Sequence, residues 1–136
     1  MTDTVKLEIV TPAGTVYSDD VETVALPTIA GQIGVYPQHV PLITQMVPGE
    51  MIVRKDGRDL FIATGEGLIE VTARRVAILT DLAVPADRID EAKAEEARQR
   101  AEARLREKLS TEEVAAVNAS LARSRSQLRV KRRRHP

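Results

Sequence analysis

The feature that most constrains this chain is an abrupt change of residue pattern at Pro85. Before it, short runs rich in Val, Ile and Leu are separated by turn residues such as Asp56-Gly57 and Gly65. After it, residues 87–109 are rich in Ala, Glu, Arg and Lys and contain neither Gly nor Pro. The first pattern indicates β-strands and the second a helix. We therefore predict two modules, residues 1–85 and 86–136.

The first module has the pattern of an antiparallel β-sandwich or barrel. Residues 5–10 alternate apolar and polar side chains, as a half-buried strand does. Further strands are predicted at residues 21–26, 41–47, 51–54, 60–63, 68–72 and 76–80. No helical run separates these strands, so a parallel α/β sheet is not expected.

The second module is predicted to be an antiparallel hairpin of two helices, which makes the fold class α+β. Asp87 can serve as N-cap of the first helix. Its apolar stripe comprises Ile89, Ala94, Ala97, Ala101, Leu105 and Leu109. Ser110 and Glu113 have the spacing of a capping box that opens the second helix. The apolar face of that helix comprises Val114, Val117, Leu121 and Leu128.

The predicted seam between the helices consists mostly of alanine. An Ala in place of Leu forgoes about 2.4 kcal/mol of apolar burial, at ~0.8 kcal/mol per methylene. Two interpretations stay open. The small residues let the helices approach closely, or the weakly held hairpin opens and closes.

The balance of basic and acidic residues changes near Pro85 as well. Residues 1–86 hold 6 basic and 11 acidic side chains, and residues 87–136 hold 14 basic and 9 acidic ones. No acidic residue follows Ser120, whereas seven basic residues do: Arg123, Arg125, Arg129, Lys131, Arg132, Arg133 and Arg134. This asymmetry indicates that the two modules bind different partners.

Composition excludes several function classes. The chain has no cysteine, which rules out disulfides, a thiolate nucleophile and cysteine-ligated metal. No apolar stretch approaches the ~18 residues that cross a bilayer, and no signal peptide is evident. We therefore expect a soluble protein without direct membrane insertion. If it works at a membrane, another protein must hold it there.

Five segments in order resemble one known family. Residues 31–44 (GQIGVYPQHVPLIT) are similar to its G-x-[LI]-G-x-x-P-x-H-x-P-L segment, and residues 64–71 (TGEGLIEV) to its S-G-G-x-[LI]-E-V strand. Residues 76–81 (VAILTD) resemble the strand that closes its sandwich. Residues 89–94 (IDEAKA) and 127–130 (QLRV) resemble the start and end of its helical hairpin. The family is the epsilon subunit of F-type (proton-translocating) ATP synthases.

Three positions of the first module depart from the family pattern. Glu66 stands where the family usually has a second Gly, and Gln32 where it often has Glu. Gln38 stands where the family often has Gly, so it must adopt a positive φ if the turn requires one.

The resemblance implies a non-catalytic rotor subunit of the central stalk. Its sandwich would bind the gamma subunit and rest on the c-ring loops, coupling proton translocation to ATP synthesis. Its helices would lie on the sandwich or extend along gamma to the alpha and beta subunits and inhibit ATP hydrolysis. The place implied is the cytoplasmic face of the bacterial plasma membrane, as a peripheral subunit, with the thylakoid membrane as the alternative.

The resemblance also implies which residues contact the other subunits. Gln32 and Gly34 would face the c-ring, and His39 and Val40 would lie near gamma. The basic residues expected to meet an acidic surface of the catalytic head are Arg123, Arg125, Arg129 and Lys131. The two helices, placed end to end, would reach on the order of 60 Å at ~1.5 Å per residue.

A nucleotide site is a further expectation from the resemblance, because some relatives bind ATP in the compact hairpin. The weak candidates here are Asp90, Lys93, Arg100 and Arg123. Lys93 replaces an Arg and loses its bidentate grip on phosphate, while Gln127 is neutral at another such position. The alternative is a solvated charged helix face, and no cofactor is required.

Catalysis and nucleic-acid binding are both disfavoured. The only histidines, His39 and His135, have no nucleophile or metal-ligand cluster beside them in sequence, so we expect no catalytic or metal site. The basic cluster at residues 123–134 would suit phosphates. However, the second module lacks aromatic residues for base stacking and the first is acidic, so we expect no nucleic-acid partner.

Overall fold

The computed structural model describes residues 3–134, so His135 lies outside the described residues. Ten strands precede a short 3₁₀ helix and two α-helices. They are β1 (Val5–Thr11), β2 (Gly14–Val21), β3 (Thr23–Thr28), β4 (Gly31–Val35), β5 (Leu42–Met46), β6 (Gly49–Lys55), β7 (Arg58–Thr64), β8 (Gly67–Val71), β9 (Arg75–Thr80), β10 (Ala83–Pro85), the 3₁₀ helix Ala86–Arg88, α1 (Glu91–Arg104) and α2 (Thr111–Arg134). The predicted α+β class is confirmed.

The strands form one sheet that folds over into a nearly closed sandwich. Its order is β10-β7-β6-β3-β5-β8-β9-β1-β2, and β4 pairs with β3 outside this path. An ion pair between Lys55 of β6 and Asp19 of β2 links strands that are distant in this order and lowers the pKa of the Asp19 carboxyl. The core between the two walls is aliphatic, and its largest fully buried side chains are Leu7, Ile9, Leu26, Met46, Met51, Ile62, Ile69 and Ile78.

The expectation of a wholly antiparallel sandwich is wrong at one strand pair. β1 and β9 run parallel, with Leu7 beside Val76 and Ile9 beside Ile78. Strands joined by a hairpin must run antiparallel, but the rest of the sandwich separates β1 from β9 along the chain. Turn chemistry therefore does not determine their relative direction.

Three strands were absent from the sequence prediction: β2, β4 and β10. In β2, most side chains are exposed and polar, so the apolar alternation that marks a strand is missing. The predicted strand at residues 21–26 spans a junction, because Val21 ends β2 and residues 23–26 belong to β3. Edge strands such as β2 form through pairing with a neighbour, which periodicity alone does not reveal.

Gln38 has the positive φ that its position demands. Its φ is 67°, in the left-handed region that glycine adopts most easily. The Gln38 amide donates a 2.8 Å hydrogen bond to the Ala73 carbonyl, which ties the loop after β4 to the turn between β8 and β9. The expectation for this residue is confirmed.

The first helix begins later than predicted. Asp90, not Asp87, is the N-cap, and its carboxylate accepts a 3.1 Å hydrogen bond from the Lys93 amide. Asp87 lies in the 3₁₀ helix. Between them, Ile89 is extended and buried in a cluster with Val130 of α2. Burial of Ile89 therefore delays the start of α1.

The first helix also ends earlier, at Arg104 instead of residue 109. The capping box is confirmed, since the Glu113 amide donates to Ser110 Oγ and the Ser110 amide to Glu113 Oε1, both at 3.2 Å. An N-cap residue has non-helical φ and ψ, so α1 cannot continue into Ser110. Ala94 and Ala101 of the predicted stripe are buried, whereas Leu105 is exposed.

We predict that Gly67→Ala destabilises the sandwich by about 1–3 kcal/mol through overpacking. A Cβ at residue 67 would lie 2.2 Å from the backbone carbonyl oxygen of Leu79, which cannot move without breaking the sheet. The matched control is Gly34→Ala, whose Cβ would meet only the Tyr36 ring at 3.6 Å. Thermal unfolding measures both variants. Equal melting temperatures would contradict the prediction.

Candidate functional site

The helical hairpin rests on the sandwich through a small apolar cluster. Val130 of α2 is buried against Ala63 of β7 and against Ile89. The partly buried members of this cluster are Phe61, Val84 and Ala86. The cluster is far smaller than the core inside the sandwich, and α2 also buries Leu121 and Leu128 outside it.

A buried hydroxyl adds a polar contact beside this cluster. Ser126 Oγ lies 2.9 Å from the carbonyl oxygens of both Gly49 and Thr64, so its single hydrogen serves this pair of acceptors. The Thr64 hydroxyl also donates to the Gly49 carbonyl at 3.2 Å. Each buried hydrogen bond of this kind contributes on the order of 1 kcal/mol. Ser126 thereby joins α2 to β6 and β7.

Charged contacts flank the buried hydroxyl on both sides. Arg123 forms an ion pair with Asp81 at 3.0 Å, in the turn between β9 and β10. Lys131 Nζ donates a 3.1 Å hydrogen bond to the carbonyl of Ala86 in the 3₁₀ helix. Both contacts connect α2 to the first module or to its junction with the hairpin.

A chain of ion pairs runs between the two helices. Arg132 contacts Glu91 at 2.8 Å and Glu95 at 3.0 Å. Arg98 contacts both Glu95 and Glu102, and Glu102 in turn contacts Arg125 at 3.4 Å. Hydrogen bonds, first from Arg98 and then from Arg132, lower the pKa of Glu95 from 4.5 to about 2. We call this set the ion-pair ladder (Glu91, Glu95, Arg98, Glu102, Arg125 and Arg132).

Most of the basic residues predicted to meet another subunit are thus engaged within the chain. Arg123 is paired with Asp81, Arg125 belongs to the ion-pair ladder, and Lys131 binds a backbone carbonyl. Arg129 differs, because its side chain is exposed and lines a cleft together with Arg133. The sequence could not separate these cases, since all four residues lie on one basic helix.

Several apolar side chains are exposed on the outer side of β1, β5, β8 and β9. Leu68 pairs with Leu79 across β8 and β9, and Leu79 pairs with Val10 across β9 and β1. On β5, Ile43 is 66% exposed and lies beside Glu70 of β8. We call these four residues (Val10, Ile43, Leu68 and Leu79) the outer apolar face. The sequence signal for it was the run of consecutive apolar residues at 76–79, where alternation would put a polar residue outside.

The predicted gamma-facing residues adjoin the outer apolar face. Val40 is 71% exposed in the loop that leads into β5. His39 is half-buried, and its Nδ1 donates a 2.7 Å hydrogen bond to the Val40 carbonyl. Tyr36, in the same loop, is also exposed. Gln32 and Gly34 are exposed on β4, apart from this face.

The four weak ATP candidates do not share one cavity. Asp90 and Lys93 lie together at the start of α1, where the Asp90 carboxylate caps the helix. Arg100 lines a cleft of about 430 Å³ between α1 and α2, whose lining includes none of the other three candidates. Arg123 is held by Asp81.

Residues 3–134 offer neither a membrane-spanning helix nor a metal-binding cluster. No helix among them is long and apolar enough to cross a bilayer. In the same range, no three His, Asp or Glu side chains form a group that could hold a metal ion.

The fold and these contacts define a class of protein in which a β-sandwich carries a helical hairpin packed against one of its sides. Two family models cover the chain: "ATP synthase, Delta/Epsilon chain, beta-sandwich domain" matches residues 4–86, and "ATP synthase, Delta/Epsilon chain, long alpha-helix domain" matches residues 87–132. The chain therefore belongs to the family of ATP synthase epsilon chains.

Individual relatives agree with this assignment. The ATP synthase epsilon chain of Herpetosiphon aurantiacus is 41% identical, over 93% of this chain and 93% of that one. In a mitochondrial ATP synthase of Euglena gracilis (OSCP/F1/c-ring), one chain has the same fold with a TM-score of 0.74 at 21% identity, over 90% of this chain and 78% of that one. In the central stalk and c-ring structure of Tetrahymena thermophila mitochondrial ATP synthase, a chain matches with a TM-score of 0.62 at 12% identity, over 97% and 96%.

The ion-pair ladder predicts an acid-sensitive hairpin. The folded pKa of Glu95 lies below its unfolded value, so its contribution to stability is present above pH 4.5 and is lost as pH falls toward about 2. Glu95→Gln removes this titration. We therefore expect the difference in melting temperature between the native chain and Glu95→Gln to shrink across that window. A constant difference would show that the ladder does not stabilise the hairpin.

Proposed function

We propose that this chain is a non-catalytic central-stalk subunit of ATP synthase that couples proton translocation to ATP synthesis and whose helices inhibit ATP hydrolysis when they extend. The observation that carries the proposal is the separation of its two surfaces. The hairpin packs on β6, β7 and the 3₁₀ helix. The outer apolar face lies on β5, β8, β9 and β1, so a partner can bind there while the hairpin moves.

The outer apolar face, extended by Val40, is the proposed docking surface for the gamma subunit. An exposed apolar surface of this kind is costly in water and marks a protein interface. The Gln38–Ala73 hydrogen bond holds the Val40 loop against the end of β8, which makes loop and face one continuous surface. Gln32 and Gly34 on β4 are proposed to rest on the c-ring loops. The assignment of these two residues comes from the sequence resemblance, and the Tetrahymena structure of a central stalk with its c-ring contains a chain of this fold.

In the compact conformation, the chain neutralises three arginines of its own basic tail. Asp81 and the acidic members of the ion-pair ladder occupy Arg123, Arg125 and Arg132. These arginines can meet an acidic surface of the alpha and beta subunits only after α2 leaves the sandwich. The acidic residues of α1 thus compete with the external target for the same cations.

Several individually weak contacts oppose extension, together with the burial of Leu121 and Leu128 of α2. Exposed ion pairs are screened by water, so each contributes little. The apolar cluster around Val130 is small, and Ser126 adds one buried polar contact. At ~1.5 Å per residue, α1 and α2 span about 21 and 36 Å, which together approach the predicted reach.

Two further expectations from the sequence stay predictions. One is that ATP binds the compact hairpin as a weak regulatory ligand. Its binding would require Arg100 to move toward Asp90 and Lys93, because neither residue lines the cleft that contains Arg100. A peripheral position on the cytoplasmic face of a bacterial plasma membrane is proposed from the bacterial relatives.

The gamma interface can be tested with two equally exposed isoleucines. Ile43 is 66% exposed on the outer apolar face, whereas Ile29 is 64% exposed in the turn between β3 and β4. We expect Ile43→Asp, combined with Val40→Asp, to weaken binding to gamma at least 30-fold, as loss of a hot spot worth about 2 kcal/mol does. Ile29→Asp should leave the dissociation constant for gamma unchanged. Equal affinity of both variants in a titration would contradict the proposed interface.

The inhibitory role can be tested in both directions with the assembled complex. Truncation after Pro85 removes the helices but leaves the sandwich core, whose buried members all precede residue 80, so ATP hydrolysis should rise. Ser126→Ala loosens α2 by about 1 kcal/mol and should lower hydrolysis several-fold by favouring extension. Ser124→Ala is the control, because this equally buried serine bonds only to Ser120 within its own helix. Unchanged hydrolysis in the truncated complex would contradict inhibition.

A further inference from the structure

A hollow of about 190 Å³ opens within the outer apolar face. Ala77 of β9 lies at its centre, because the strand register places it between Glu70 of β8 and Glu8 of β1. The next outward-facing row across the same strands consists of Leu68, Leu79 and Val10, which also line the hollow. The hollow therefore has a small residue in the middle, a carboxylate on either side and an apolar row at one end.

The two carboxylates of the hollow differ in their surroundings. Glu8 forms an ion pair with Arg75 at 2.8 Å. Glu70 is exposed, and within residues 3–134 its carboxylate takes part in no hydrogen bond or ion pair. Its neighbours across the sheet are Ile43 on one side and Ala77 on the other. One unpaired negative charge thus stands among apolar side chains.

The Glu70 carboxylate restricts what can dock on the outer apolar face. In the isolated chain, water hydrates this carboxylate. A subunit that covers the face removes the water, and an ionised carboxylate without a partner is strongly unfavourable away from water. A cation opposite Glu70 would compensate for the lost hydration, whereas a neutral apolar surface would not. The charge therefore selects among partners that could all cover the apolar residues.

The shape of the hollow suits the side chain of a lysine or an arginine. Such a side chain has an aliphatic stem, which can lie against the apolar row, and a charged head, which can reach Glu70. The charged residues of the lining are Glu8, Glu70 and Arg75, so the hollow carries one net negative charge. A single cation neutralises it.

We propose that this hollow receives one lysine or arginine side chain of the gamma subunit, and that Glu70 thereby determines the specificity of the docking surface. The inference rests on the proposed gamma interface and adds the chemistry that gamma must present there. The hollow lies on β8, β9 and β1, whereas the hairpin packs on β6 and β7. It therefore stays open to gamma in both the compact and the extended conformation of the helices.

Titration of purified gamma with the full chain tests the charge. Glu70→Gln should raise the dissociation constant at least ~30-fold, because the cation of gamma would lie buried without its partner. The matched control is Glu96→Gln, which removes the same charge from an exposed position on α1 and should change the dissociation constant less than a few-fold. A neutral partner surface predicts the opposite sign, since Glu70→Gln would then remove an unfavourable buried charge. Unchanged or tighter binding of Glu70→Gln would overturn the proposal.

A second variant tests the hollow without changing any charge. Ala77→Leu fills the hollow from its centre and should weaken gamma binding about tenfold through overpacking. If gamma made only a flat apolar contact, the added leucine would instead strengthen binding. Tighter binding of Ala77→Leu would therefore show that no side chain of gamma enters the hollow.

The variant Ile43→Asp with Val40→Asp separates this inference from the proposed interface. If that variant loses gamma binding while Glu70→Gln does not, gamma docks on the outer apolar face without a cation, and only the present inference fails. If neither variant loses binding, gamma docks elsewhere, and the interface and the inference fail together.

Discussion

The contact between the two modules depends on the buried hydroxyl of Ser126. An apolar helix face alone could slide along the sandwich, but the Gly49 and Thr64 carbonyls accept from this one residue and therefore define the position of α2. Val130, one turn later, then covers Ala63, and Arg123, about one turn earlier, reaches Asp81. Water can replace the hydroxyl at both carbonyls if α2 departs, so the contact is specific without being permanent.

Electrostatics gives the hairpin a second layer of reversible contacts. In three dimensions, Glu91, Glu95 and Glu102 of α1 and Asp81 of the first module face the basic side chains of α2. Each exposed pair is weak, but the pairs share residues, and breaking them together frees several cations at once. In the compact chain, carboxylates of the same chain therefore occupy arginines that we propose bind the catalytic head once α2 extends.

The sequence predicted what depends on periodicity and local hydrogen bonding. The sandwich, the hairpin and the capping box at Ser110 follow from such patterns, whereas the positive φ of Gln38 was expected from the family resemblance. It did not predict what depends on tertiary pairing: the polar strand β2, the parallel contact of β1 with β9, and the late start of α1 that burial of Ile89 imposes. For the same reason, it could not tell Arg129, which lines the cleft, from Arg125, which meets Glu102 on another element.

The breaks in the helical module have a mechanical consequence. Neither α1 nor α2 contains Gly or Pro, so each behaves as a rigid rod. The backbone is extended at Ile89, before α1, and residues 105–110 separate α1 from α2. Any rearrangement that keeps both rods intact must therefore pivot at these joints. With two hinges, the helical module has a folded, a half-open and a straight arrangement. The hinge at residues 105–110 lets α2 move while Ile89 still holds the start of α1 on the sandwich.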